Sequence, residues 1–234
     1  MIPIFILTCD RLKVLKASIQ SYYDCIKASF EIIIIDFGST YEPTREFLRH
    51  LEYEGKKVYW EKRIIVHSEI RRIDGIIQDY LKDRPGSKYV ITDPDIVLDN
   101  VEGDVLEVYS HLLESIPRIS VVGPALGTDD IPDCYPKKEE VIKWEKQFQI
   151  GEVNTIQYGN KAIRYIFAPI DTTFGMYRAG GIWKGTKKGI RVLPPYSAKH
   201  LDWYLDPKNL TLDQKHYLEH GSRRVGNWSF WGEK

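Results

Sequence analysis

The sequence predicts an α/β fold built on a mainly parallel, doubly wound central sheet with helices on both faces. Two observations carry that expectation. Apolar strand-like runs alternate with amphipathic segments through the first hundred residues in the order β-α-β-α-β-α-β, and right-handed crossovers between parallel strands are the usual solution for that order. One of those runs, EIIIID at 31–36, is almost continuously β-branched, as expected of a strand covered on both faces.

The elements can be taken in order. IPIFILT, ending at Thr8, reads as the first strand, and LKVLKASIQSYYDCI (12–26) as a helix with apolar residues near helical spacing. After EIIIID, the segment PTREFLRHLEYEG (43–55) reads as a helix with Pro43 early and Gly55 as its stop signal. KVYWEK (57–62) is a short strand, SEIRRIDGIIQDYLKD (68–83) a helix with Ser68 as N-cap, and KYVITD the fourth strand. Beyond residue 100 the pattern loosens. GDVLEVYSHLLESI (103–116) reads as a helix and RISVVGP (118–124) as a strand. A polar loop, GTDDIPDCYPKK (127–138), leads to a short helix in EEVIKWEKQF. KAIRYIFAPIDTTFGMYRAGG (161–181) holds strand-like runs, and GIRVLPP offers another. No repeat, low-complexity tract or linker divides the chain, so one domain over 1–234 is expected, with a more irregular half from 101 onward.

Bulk properties narrow the function. With 43% hydrophobic and 28% charged residues, the composition is that of an ordinary soluble globular protein. Lys plus Arg equals Asp plus Glu, at 33 each, so no global field attracts nucleic acid or anionic membrane. Two local basic runs remain, KRIIVHSEIRR and KGTKKGIR. Cys9, Cys25 and Cys134 form no CxxC pair, which argues against a disulfide framework or zinc knuckle. No apolar stretch has the length of a membrane-spanning helix. Met1 runs directly into the first strand without a basic leader, so no signal peptide and a cytoplasmic location are expected.

Ligands of parallel α/β sheets bind beyond the carboxyl ends of the strands. The polar residues there are Thr8-Cys9-Asp10-Arg11, Asp36-Phe37-Gly38-Ser39 and Asp93-Pro94-Asp95, so all three clusters should face one crevice. Asp93 and Asp95 lie two apart, and in extended backbone such residues project to the same side. Two carboxylates so placed suit Mg²⁺ or Mn²⁺, which favour oxygen ligands and share them with substrate phosphates. The bland alternative is a solvated acidic turn. Asp36 can accept hydrogen bonds from a base or ribose, or simply cap its own turn. Arg71 or Arg72 could reach a diphosphate, because Arg suits bidentate phosphate contacts, or lie on a solvated helix face. Trp203, Tyr204 and Trp228 could form an apolar platform for a sugar ring, or pack in the core.

Taken together, IPIFILTCDR, EIIIIDFGST and YVITDPDIVLDN resemble the nucleotide-binding half of glycosyltransferases of the GT-A fold, most of all the large family-2-like group. The resemblance covers roughly residues 3–100. It implies that Thr8, Asp10, Arg11 and Asp36 contact the donor nucleotide and that Asp93 and Asp95 hold Mn²⁺ or Mg²⁺ on the diphosphate. It further implies that a late histidine, His200, completes the metal sphere. A carboxylate of the second half, Asp171 with Asp129 and Asp130 as competitors, would deprotonate the acceptor hydroxyl. The implied activity is metal-dependent sugar transfer from a UDP- or GDP-linked donor to a hydroxyl of a glycan or other acceptor, with inversion. The halves 1–100 and 101–234 would then bind nucleotide and acceptor. One departure is the segment SEIRRIDGII, where many members carry a Gly/Ala/Asn-rich turn and helix. The alternatives are a nucleotidyltransferase, disfavoured because TCDRLKVL has no glycine after the first strand, and a non-catalytic nucleotide-sugar or glycan-binding domain. An aspartyl phosphatase is disfavoured because its DxD belongs to the first strand.

Overall fold

The computed structural model describes residues 1–63, 71–181, 183, 187–221 and 228–229. Its first half runs β1 (Ile2–Thr8), α1 (Leu12–Cys25), β2 (Phe30–Phe37), α2 (Glu42–Tyr53), β3 (Lys57–Glu61), α3 (Arg71–Leu81) and β4 (Tyr89–Thr92). This is the expected alternation. Gly55 stops α2 as its sequence position suggests, with a φ of +83° and backbone bonds from Gly55 and Lys56 back to Glu52 and Leu51. Ser68, expected to cap α3, lies outside the described residues.

The second half runs β5 (Ile96–Val97), α4 (Val105–Ser115), β6 (Val121–Pro124), α5 (Lys138–Lys146), β7 (Asn154–Tyr158), β8 (Lys161–Ile170), β9 (Gly175–Tyr177), β10 (Lys187–Val192) and β11 (Lys199–His200). A 3-10 turn at Leu201–Tyr204 and α6 (Leu212–His220) follow. Among the described residues, nine strands form one sheet in the order β3-β2-β1-β4-β9-β6-β10-β8-β7. The four strands β3-β2-β1-β4 are parallel, and β9 enters antiparallel between β4 and β6. β10 is parallel to β6, while β8 and β7 close the sheet as an antiparallel pair. The sheet therefore runs through both halves, parallel at one side and mixed at the other. A separate two-stranded ribbon pairs β5 with β11, His200 opposite Ile96.

Strand alternation sends successive side chains to opposite faces, and the two cores show it. Ile4, Ile6, Ile32 and Ile34 pack with Leu15 and Ile19 of α1, Leu48 and Leu51 of α2 and Leu106 of α4. Phe5, Leu7, Ile33 and Ile35 pack on the other face with Ile73, Ile77 and Leu81 of α3. Each such side chain contributes roughly 1.5–3 kcal/mol when fully buried, so a one-residue slip of β1 or β2 would lose several at once. That rigid register fixes the strand tips. Thr8 lies opposite Asp36, and Ile6 opposite Thr92, one residue before Asp93. Among the described residues, no helix is long and apolar enough to cross a membrane.

Candidate functional site

The polar tips of β1, β2 and β4 share one edge of the sheet, and each is held differently. At the tip of β1, Asp10 adopts a φ of +54° and is fully buried. Aspartate tolerates this left-handed backbone better than most residues. Its Oδ1 accepts the Thr40 and Tyr41 N–H groups at 2.6 and 2.7 Å, and its Oδ2 accepts from the Thr40 hydroxyl at 3.2 Å and from Arg63. Its own N–H donates to the Ser39 hydroxyl at 2.7 Å. Asp36 is likewise turned inward, accepting from the Ser39 N–H at 3.0 Å and from the Ser39 hydroxyl. Burial raises its pKa against the opposing pull of those bonds. Gly38 lets Arg63 approach, since a Cβ there would stand 2.9 Å from the Arg63 nitrogen and φ is +71°. Asp10 and Asp36 thus hold the 38–41 loop in place. Cys9 is no nucleophile at neutral pH, because burial, then the Asp10 charge, push its thiol up to about 12. The Thr8 hydroxyl is buried and has no hydrogen-bond partner among the described residues.

The Asp93-Pro94-Asp95 segment is anchored by its backbone from three sides. The Asp93 N–H donates to the Thr172 carbonyl at 2.7 Å, and the Ser18 hydroxyl of α1 donates to the Pro94 carbonyl at 2.8 Å. The Leu201 N–H donates to the Asp95 carbonyl at 2.7 Å, and the Tyr22 hydroxyl to the Ile96 carbonyl at 2.7 Å. On the side chains, the Thr172 hydroxyl donates to Asp93 Oδ2. Arg11 lies between Asp95 Oδ2, at 3.2 Å, and Asp202 Oδ1, and Ser229 donates to Asp202 Oδ2. The Tyr217 ring of α6 lies 4.7 Å from the guanidinium. His200 stacks on Trp203 with centroids 4.9 Å apart, and its Nδ1 lies 3.6 Å from Asp95 Oδ2, beyond hydrogen-bond range.

The electrostatics are those of a charge cluster out of water. Burial and then the Asp95 charge raise Asp93 well above the usual carboxylate range. Burial also raises Asp95, partly offset by His200 and Arg11. Burial works against the Asp202 carboxylate too, but Arg11, His200 and Ser229 outweigh it and its pKa is lowered. Among the described residues, the buried Asp95 Oδ1 and His200 Nδ1 have no hydrogen-bond partner, nor does the Trp203 Nε1 beside them. A carboxylate oxygen beside an imidazole nitrogen is a donor set that suits Mn²⁺. Among the described residues no group of three or more His, Cys, Asp or Glu is arranged to hold an ion by itself.

The other expected residues are more scattered. Asp171 is exposed directly after β8, and its neighbour Thr172 binds Asp93 through both carbonyl and hydroxyl. Arg71 is exposed at the start of α3, whereas Arg72 turns to Glu61 and the Lys62 carbonyl. Trp203 is fully buried against His200, so its ring is a core wall and not a sugar platform. Trp228 packs against the same core, 6.4 Å from Trp203. Tyr204 donates to Asp130, which also pairs with Lys199 at 2.6 Å, while Asp129 is exposed. Tyr204 and Lys199 line an open cleft of about 650 Å³ with Asp24, Asp99 and Leu201. That cleft lies on the reverse of the β5–β11 ribbon and includes none of Asp93, Asp95 and His200. Parts of both basic runs, 64–70 and 184–186, lie outside the described residues.

Sequence reasoning missed Asp202, Ser18, Tyr22, Thr172 and Arg63. It missed α6 as well, which reaches the start of α1 through a bond from the Lys13 N–H to Asp213 at 2.8 Å and the 38–41 loop through His216 at 2.9 Å from the Thr40 hydroxyl. One signal was present for α6, the capping box formed by Thr211 and Gln214. Asp202 had only its place two residues after His200.

No protein-family model matches the chain, and no curated protein sequence matches it. Among solved structures, the chain is similar to the mannosyltransferase PcManGT of Pyrobaculum calidifontis in complex with GDP-Man and Mn²⁺, with 18% identity and a TM-score of 0.40 over 55% of this chain and 36% of that one. It is similar to S. aureus TarS 1-349 in complex with UDP, with 15% identity and a TM-score of 0.45 over 76% of this chain and 47% of that one. It is also similar to the glucosyl-3-phosphoglycerate synthase of Mycobacterium tuberculosis in complex with Mn²⁺ and UDP-glucose, with 13% identity and a TM-score of 0.35 over 62% of this chain and 50% of that one. The aligned part spans half or less of the length of each of these three proteins.

Proposed function

We propose that the chain is a metal-dependent glycosyltransferase that moves a sugar from a UDP- or GDP-linked donor to an acceptor hydroxyl, on a glycan, with inversion. The observation that carries this reading is the pair of unpartnered buried atoms, Asp95 Oδ1 and His200 Nδ1, at the carboxyl edge of a parallel sheet. Asp93, Asp95 and His200 would hold Mn²⁺ or Mg²⁺, whose charge stabilises a leaving diphosphate. The nucleoside would rest on the 38–41 loop, with Asp10 and Asp36 holding that loop in shape and Thr8 facing the same edge. Arg71, exposed at the start of α3, would meet a phosphate. Thr172 would orient Asp93 through its hydroxyl while keeping the exposed Asp171 beside it, where a carboxylate can take the acceptor proton. Tyr204, on the wall of the cleft behind the ribbon, would contact the acceptor beyond its reacting sugar.

Release of nucleoside diphosphate from UDP- and GDP-sugars, with and without Mn²⁺, tests the reading. Metal-dependent release is expected, and no release from any donor would leave a binding domain as the better account. Asp171→Asn is expected to lower kcat by about 10²–10⁴-fold while leaving donor KM nearly unchanged. Full activity in that variant would move the base elsewhere.

A further inference from the structure

Asp202 lies at the centre of the carboxylate cluster without facing its unpartnered atoms. It is 1% exposed, and both of its oxygens are held, one by Arg11 and the other by the Ser229 hydroxyl. Arg11, itself buried, is shared between two carboxylates. It meets Asp202 Oδ1, and it meets Asp95 at Oδ2 alone, at 3.2 Å. Asp95 Oδ1 and His200 Nδ1 have no hydrogen-bond partner among the described residues, and the imidazole nitrogen lies 3.6 Å from the other Asp95 oxygen, Oδ2. A guanidinium is a planar fork that closes on both oxygens of a carboxylate when nothing restrains it. With Asp95 as its sole buried acceptor, Arg11 would take both Asp95 oxygens and leave no site for a cation.

We propose that Asp202 is a positioning residue of the metal site. It draws the Arg11 guanidinium onto itself, so that Arg11 steadies Asp95 through Oδ2 and Oδ1 stays open to a divalent cation beside His200. The 3-10 turn that begins after His200 therefore supplies a metal donor and, two residues on, the group that protects the other donor. This inference rests on the metal-dependent reading above, and it makes Arg11 an internal counter-charge instead of a contact to the donor nucleotide.

Titration with Mn²⁺ alone, followed by water-proton relaxation, reads the site without turnover. Asp202→Asn keeps the shape and the acceptor but removes the charge, and Mn²⁺ affinity should fall about 10–100-fold, the range typical of groups that orient metal ligands. Removing the captor as well should restore it, so the double variant Arg11→Met/Asp202→Asn should bind Mn²⁺ within a few-fold of the unaltered protein. A purely structural ion pair predicts the opposite order, with the double variant no better than the single one, and that result would overturn the inference. So would unchanged affinity in Asp202→Asn. Should that variant not fold, Ser229→Ala, which loosens the other Asp202 oxygen, is expected to weaken Mn²⁺ several-fold, and unchanged affinity there counts equally against the idea. An unaltered protein that binds no Mn²⁺ rejects the metal-dependent reading itself, and the inference with it.

Discussion

Asp93 shows how a functional group can oppose the stability of the protein that carries it. Burial and the Asp95 charge raise its pKa in the folded state, whereas an unfolded chain ionises at about 3.9. Between those values the folded state binds more protons, so stability falls as pH rises through the window and stays lower above it. At neutral pH the Asp93 carboxyl is therefore a net cost to the metal-free fold. Asn at this position keeps an acceptor for the Thr172 hydroxyl and carries no charge. The metal-free Asp93→Asn protein is expected to melt above the unaltered protein at pH 7, with the gap narrowing as pH is lowered towards 4. Thermal unfolding across that range checks the sign, and an Asn variant that melts lower at pH 7 would show that the carboxylate is not under strain. At this scale the sequence was partly legible. Asp93 and Asp95 stood out because their strand tip shares a sheet edge with Asp36 and the Thr8–Arg11 cluster. Asp202 did not, because what makes it important is a buried cation 191 residues earlier in the chain, and no local pattern encodes such a partner.

Elements were most readable where their periodicity was strict and their two faces were equally buried. β1 and β2 alternate between two cores, and their sequences say so directly. β7 was missed because its burial alternates between exposed and half-buried, as an edge strand's does, and the Gly159-Asn160 turn that pairs it with β8 was its clearest signal. β9 was harder still, since three residues inserted antiparallel between β4 and β6 carry no pattern of their own. The join of α5 to the sheet is equally invisible in sequence. Glu145 of α5 meets Arg191 of β10 at 2.7 Å with both residues buried, and Arg191 also lies 3.9 Å over the Phe148 ring. Burial pushes the glutamate's pKa up and the arginine's down, so each disfavours its own charge and depends on the other. Glu145→Ala leaves an uncompensated buried cation and is expected to lower stability by about 3–5 kcal/mol. The double replacement Glu145→Leu/Arg191→Met removes both charges and should recover most of that loss. Urea unfolding of the three proteins decides it, and additive losses would mean that the pair is not coupled.

For the whole molecule, the buried carboxylates that cost stability are the groups that a cationic ligand would satisfy. The tips of β1, β2 and β4 are fixed by one register, and the DPD backbone is tied to α1, to the turn before β9 and to the residue after β11. A cation and a nucleoside diphosphate bound there would contact segments from both halves of the chain and would find them already in place. Ligand binding to the folded state alone stabilises by mass action, about 2.7 kcal/mol at a hundred times Kd. For a chain of 234 residues each kcal/mol corresponds to roughly 2–4 °C in Tm. A saturating nucleoside diphosphate with Mn²⁺ should therefore raise Tm by roughly 5–10 °C. Neither component alone should reach that figure, because on this reading the diphosphate would supply ligands to the ion and the ion would screen the diphosphate from Asp93 and Asp95. The measurement is a thermal-shift matrix of UDP, GDP and their sugars against Mn²⁺, Mg²⁺ and chelator. A shift equal to the sum of the separate effects would mean that nucleotide and metal occupy independent sites, and the carboxyl edge would then not be the place where they meet.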